Sequence, residues 1–414
     1  MSLAEAPVAV MLAGLALYAV LAGADFGAGL WQLTGGTSER SREIREHAHH
    51  AIGPVWEANH VWLIFVLVVC WTAYPTAFGS IASTLAIPLF IAGIGIVLRG
   101  TAYALYAGAG SAREERRVER LSGVSSIMTP FALGAVAGAI ASGRVPVGNA
   151  AGDLVTSWLN PTSAVIGAIA VATAAYIAAV YLAADAVRLG RPELERAYRT
   201  RALVMAAVAG AAALAGLMVV RSDAENLWRG LTHGAGLAMV VVSAVAGIAT
   251  VALVARGRYT LARLTASVAV TAIIAGWGFA QRPQFLPGLT IQEAAAGHST
   301  LVALLVALAL GLVILVPSLA LLFSLLLRGR FDEGTELPAP EPAAAGRPLD
   351  TSRLLFASVG LFALGSLLMI ASDSSWTLAI GVTMLLSGVA LGFASLASLL
   401  AGSELAPQDP PVSH

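Results

Sequence analysis

Apolar runs long enough to cross a bilayer recur along this chain from one end to the other. They fall at about 7–31, 55–75, 77–107, 122–142, 162–187, 202–220, 231–255, 260–281, 298–327, 354–372 and 376–401. Runs of about 19 residues or more, wound as helices, match a hydrocarbon core about 30 Å thick. The strands of a membrane barrel would be about ten residues long and alternating, which these runs are not. Composition agrees: 58% of the residues are hydrophobic before the 42 glycines are added, and 12% are charged, about half the share of a soluble domain. An ordinary soluble enzyme, a disordered chain and a disulfide scaffold are excluded. The expected fold class is all-α, a polytopic helical membrane protein. It has a nine-span body over 1–330, a Pro/Ala-rich linker over 331–351, a two-span appendage over 352–402 and a disordered tail over 403–414. The first run follows Glu5 and no positive charge, so it reads as a retained helix and not as a signal peptide.

The basic residues set the orientation. All 24 are Arg, balanced by 24 acidic residues, and no basic patch points to nucleic acid. Nineteen fall in the loops after spans one, three, five, seven and nine, among them Arg40, Arg42, Arg45, Arg113, Arg116, Arg117 and Arg120. Four lie on the opposite side, Arg144, Arg221, Arg229 and Arg282. Positive loops stay cytoplasmic, so the N-terminus is expected outside, with the arginine-rich loops inside. A reporter fused within 108–121 is expected to score cytoplasmic and one fused after residue 402 to score outside. A cytoplasmic score after 402 would mean that the last two spans are miscounted.

Ionisable groups inside spans are costly and are functional candidates by default. Asp25 lies near the inner end of span one, Glu57 at the inner start of span two, and Arg99 in the inner part of span three. The topology brings two carboxylates and one guanidinium to similar depth. Burial favours the protonated form of a carboxyl group and a neighbouring guanidinium favours the ionised one. The cluster therefore has two readings, a structural tie between three helices and a proton path from the cytoplasm. Asp185 is followed by Arg188 and reads as interfacial.

Other candidates carry plainer readings. His47, His49 and His50 precede Gly53-Pro54 in a loop expected to be solvated. His60, His233 and His298 differ in expected depth, which argues against a bis-histidine haem site within this chain. Cys70 is the single cysteine, so neither an intrachain disulfide nor a thiolate metal site is available. Gly23 and Gly27 form a small-xxx-small pattern, with Gly29 after it, that favours close helix packing around Asp25. Trp31, Trp56, Trp62 and Trp71 lie near span ends, where aromatic anchors are common. Arg282 to Gly288 caps span eight.

Three blocks together resemble subunit II of the cytochrome bd-type quinol oxidases: Gly23-Ala24-Asp25-Phe26-Gly27-Ala28-Gly29, then Ile52 through Gly53-Pro54-Val55-Trp56-Glu57-Ala58-Asn59-His60-Val61-Trp62 to Ile64, then Leu98-Arg99-Gly100. The likeness extends over about 7–330 and includes Ala175 to Ala186, Pro283 to Thr290 and Pro317 to Arg330. Where that family usually has Asp-Gly-Asn after the tryptophan, this chain has Glu57-Ala58-Asn59, and His60 stands where an acidic residue or Gln is common. Both departures suggest a divergent branch, sometimes described as cyanide-insensitive. The family pattern does not explain the last two spans.

The resemblance implies a complex in the bacterial cytoplasmic membrane with a haem-bearing subunit I. That partner carries haems b and d and the quinol site, and the complex reduces O₂ to water with protons from the cytoplasm. This chain would carry no haem or metal and no catalytic residue of its own. Asp25, Glu57, Arg99 and His60 are the proton-path candidates, and Gly23, Gly27, Trp56, Asn59 and Trp62 the packing candidates. Membrane lipid, quinone and small accessory subunits complete the expected partners. Competing classes are a proton- or ion-coupled transporter, which would favour inverted repeats and broken helices that the sequence does not display, and a purely structural assembly factor.

Overall fold

A computed structural model of the protein describes residues 2–33, 39–52, 56–106, 112–327 and 351–371, and short pieces between 376 and 391. The linker over 331–350 and the tail lie outside the described residues, as does most of the last expected span. The chain divides into two units, 1–315 and 316–414.

The first unit runs α1 (Ala6–Leu33), α2 (Glu39–Ile52), α3 (Trp56–Ala73), α4 (Pro75–Thr84), α5 (Ala86–Tyr106), α6 (Ala112–Ala141), α7 (Pro161–Arg188), α8 (Pro192–Asp223), α9 (Glu225–Thr232), α10 (Gly234–Ala255) and α11 (Tyr259–Gln281). A small hairpin, β1 (Gln284–Leu286) with β2 (Leu289–Thr290), and α12 (Ile291–Ala294) lead to α13 (His298–Leu327), which runs through the division at 315. The second unit holds α14 (Thr351–Ala371), where the Ser358 hydroxyl donates to the Gly388 carbonyl at 2.8 Å. Among the described residues, α1, α5, α6, α7, α8, α10, α11 and α13 are long and apolar enough to cross a membrane, while the apolar part of α3, Asn59–Ala73, is shorter.

Local chemistry explains the boundaries. Pro161 opens α7, and the Asn160 side chain caps it by accepting from the Ser163 N–H at 2.9 Å, the arrangement that satisfies a free helix-start donor. Between α7 and α8, Gly190 takes φ 66°, a left-handed conformation open to glycine at little cost. Its N–H then reaches the Val187 carbonyl, and that of Arg191 reaches Ala186, closing α7 by the glycine-based stop common at helix ends.

Three expectations need correction. The run 77–107 is two helices, because the chain turns at Leu85. There the hydroxyls of Ser80 and Ser83, on α4, accept from the N–H groups of Gly148 and Ala150 in the α6–α7 loop, which holds α4 to that loop. The stretch around His47 is not a solvated loop but α2, a helix with Ile44, His47 and Ala48 buried. Its charged face stays outside and its apolar residues join the cluster with α7 and α8. The segment after Arg282 is not only a cap, since it pairs into the β1–β2 hairpin and ends in Thr290, whose hydroxyl and N–H both bond Glu293 to start α12.

α1 lies at the centre of the first unit, against α3, α6, α7 and α11. Gly27 makes this possible: a Cβ there would collide with the carbonyl of Ala174 on α7. Gly23 is less critical, with the nearest α7 atoms at ordinary contact distance. Gly27→Leu is expected to separate α1 from α7. Overpacking of this kind costs about 1–3 kcal/mol or more. A lower yield of folded chain from the membrane, read by size-exclusion chromatography in detergent, checks it, and Gly23→Ala in parallel should be tolerated.

Candidate functional site

The buried centre of the first unit is an ion pair between α1 and α5. Arg99 Nη2 donates to Asp25 Oδ1 at 2.6 Å and to the Asp25 carbonyl at 2.7 Å. Both residues are buried, at 2% and 0% exposure. Arg99 Nη1 donates to Ser122 Oγ at 2.5 Å and to Ser126 Oγ at 3.3 Å, both on α6. Ser122 in turn donates to Gln32 Oε1 at 3.0 Å. One guanidinium thus ties three helices, α1, α5 and α6. Gly29 leaves the room for it, since a Cβ there would strike both Arg99 Nη1 and Ser126 Oγ.

Two atoms remain open. Asp25 Oδ2 and Arg99 Nε meet no hydrogen-bonding partner among the described residues. The pair is bonded through one carboxylate oxygen and both Nη atoms, and leaving the other two atoms unsatisfied costs free energy. Around it stand the ring of Phe26, 5.9 Å below the Arg99 guanidinium carbon, and a row of hydroxyls on α6. Ser122, Ser125, Ser126 and Thr129 are all buried.

The remaining candidates divide. His60 lies beside the same centre, its ring 6.0 Å from Phe26 and 6.1 Å from Tyr18. Asn59 is buried, and its side-chain amide donates to the Leu21 carbonyl at 3.4 Å, so it ties α3 to α1. Glu57 is in the first turn of α3 and Trp56 precedes it; their side chains lie outside the described residues. Trp62 and Trp31 are buried, not interfacial. Trp31 donates its indole N–H to the Ala175 carbonyl at 3.0 Å, and this bond draws the end of α1 inward against α7. Trp71 is exposed and stacks on Phe78, as an anchor would.

Sequence reasoning missed two groups. The first is His47, buried on α2, with Nε2 at 3.1 Å from Asp185 Oδ2 while Arg188 Nε lies 3.0 Å from Asp185 Oδ1. Asp185 is therefore the anchor of α2 on α7 and not a lone interfacial acid. The second is Glu119 on α6, bonded to Arg45 of α2 at 3.1 Å, one turn from Ser122. The signal for it was available: Glu119, Ser122 and Ser126 follow helical spacing and form a polar stripe. His233 is occupied by its own helix end, with Nδ1 2.9 Å from the Arg229 carbonyl. Among the described residues, no group of three His, Cys, Asp or Glu is placed to hold a metal ion.

Comparison with known proteins bears on this geometry. A sequence model of the family described as cytochrome bd terminal oxidase subunit II matches residues 3–326. The chain is 23% identical over 237 residues to a protein of Bacillus subtilis (strain 168) carried as a candidate cytochrome bd menaquinol oxidase subunit II, covering 56% of this chain and 67% of that one. It also resembles a chain in the structure of bd oxidase from Geobacillus thermodenitrificans, with a TM-score of 0.61 and 26% identity over 79% of this chain and 99% of that one.

Proposed function

Because the chain belongs to the cytochrome bd terminal oxidase subunit II family, a family of respiratory oxidase subunits spanning the bacterial inner membrane, we propose that it serves as the haem-free half of a quinol:O₂ oxidoreductase. In this reading subunit I holds haems b and d and the quinol site. The present chain supports that subunit and carries part of a proton route from the arginine-rich, cytoplasmic side. The observation that supports the second role is the buried Asp25–Arg99 pair with Asp25 Oδ2 open.

The chemistry asked of this chain is modest. Reduction of O₂ to water consumes protons, and a proton cannot cross apolar packing alone. It needs groups that accept and release it. Asp25 can accept one at Oδ2, with Arg99, itself bonded to the Ser122 and Ser126 hydroxyls, holding the carboxylate in place when it is ionised. Glu57, at the inner start of α3, and His60, beside Phe26, are the further carriers in this reading. Co-expression with the haem-bearing subunit tests the function. The expected result is a coloured complex that oxidises quinol and consumes O₂. A chain that purifies alone, colourless, and moves a solute would overturn it.

A further inference from the structure

A small recess opens where α1, α2, α5 and α6 meet. Its lining includes Gln32, Ala48, Arg99, Tyr103, Glu119 and Ser122. It offers about 10 Å³ to the centre of a water-sized sphere, which is about what one water requires. The floor is Arg99, and behind Arg99 lies Asp25. At the mouth stands Glu119, its side chain 16% exposed, with one carboxylate oxygen bound to Arg45. Arg45 is on α2, which is itself fastened by His47 to Asp185 and by the Tyr198 hydroxyl, which donates to the Ile44 carbonyl at 2.8 Å.

We infer that Glu119 is the group through which protons from the arginine-rich side reach the recess above Arg99, and that Arg45 is the positioning residue that holds it there. Three observations converge. Glu119 sits where α6 passes from its charged first turns into its buried part, between buried Val118 and buried Ser122. It lines the same recess as Arg99, Gln32 and Ser122, whose side chains already bond one another. That recess has about the room of one water, enough to hold it among these polar groups. The step balances simply: Glu119 takes a proton from bulk water onto the oxygen that Arg45 does not hold, gives it to water in the recess, and returns to the carboxylate. Asp25 is the acceptor beyond, so the inference rests on the proton route proposed above.

A purely structural Glu119 and a proton-carrying Glu119 rank two substitutions in opposite order. Glu119→Gln keeps the length and an oxygen to accept from Arg45 but cannot carry a proton. Glu119→Asp keeps the proton chemistry but shortens the reach to Arg45. The experiment measures quinol-driven O₂ consumption per haem in the intact complex. With equal haem content, the expected result is that the Asp variant keeps about half its turnover or more and the Gln variant falls about tenfold. Gln equal to or better than Asp would overturn the inference. If the Gln variant fails to assemble, Glu119→Ala decides. Added formate, a small carboxylate that fits the recess mouth, should restore turnover, and no restoration would overturn the inference. Asp25→Asn measured alongside separates the two claims. Full turnover there defeats the proton route itself, whereas a slow Asp25→Asn with a fast Glu119→Gln defeats only the role of Glu119.

Discussion

Asp25→Asn is expected to yield a complex with full haem content and turnover reduced about tenfold or more, the scale on which a lost proton-transfer group acts. The amide occupies the same volume, and its oxygen still accepts from Arg99 Nη2, the bond that is 2.6 Å long in the protein. What changes is the second position. Oδ2, which has no partner among the described residues, becomes an amide nitrogen that can neither accept nor release a proton in this range. Glu57→Gln, made in parallel, asks the same question at the start of α3. Normalising O₂ consumption to haem separates chemistry from assembly. If both amide variants keep full turnover, the protons travel within the partner subunit and these acids are structural.

The architecture was legible because the bilayer leaves few solutions. A run such as 234–255, apolar throughout, can only be a crossing helix, and the structure has it as α10. The pairing of Asp25 with Arg99 was legible in part, since arginine counting set the depth of both residues before any contact was known. What depth cannot give is azimuth. Nothing in hydropathy says that Arg99 points at α6 as well as α1, or that Gly29, more than Gly23, is the glycine that makes space for it. Trp31 and Trp62 were misplaced for the same reason, because a tryptophan at a span end can face lipid headgroups or turn inward to a carbonyl. α2 was missed because its sequence is mostly polar. Among its described side chains, Ile44, His47 and Ala48 give the buried face, and a periodic signal that short resembles a loop.

Arg99→Ala is expected to act in the opposite sense to the amide substitution, on assembly before turnover. The guanidinium makes four hydrogen bonds, to Asp25 Oδ1, the Asp25 carbonyl, Ser122 and Ser126. Removing it leaves a carboxylate at 0% exposure without its cation, and breaking one side of a buried pair costs about 3–5 kcal/mol. Lysine should not replace it well, since an ammonium offers three donors from one point where the guanidinium spreads its donors in a plane. The prediction is therefore a loss of haem-bearing complex in Arg99→Ala, with Arg99→Lys intermediate. The double variant Asp25→Ala/Arg99→Ala tells whether the loss comes from the stranded charge. With both charges gone, the cavity remains, and the Ser122 and Ser126 hydroxyls still donate to Gln32 and to the Ser122 carbonyl, so the double variant should recover part of the complex that the single one loses. A double variant assembling no better than Arg99→Ala would mean that Arg99 matters for its packing against Phe26 and α6 and not for the charge it balances.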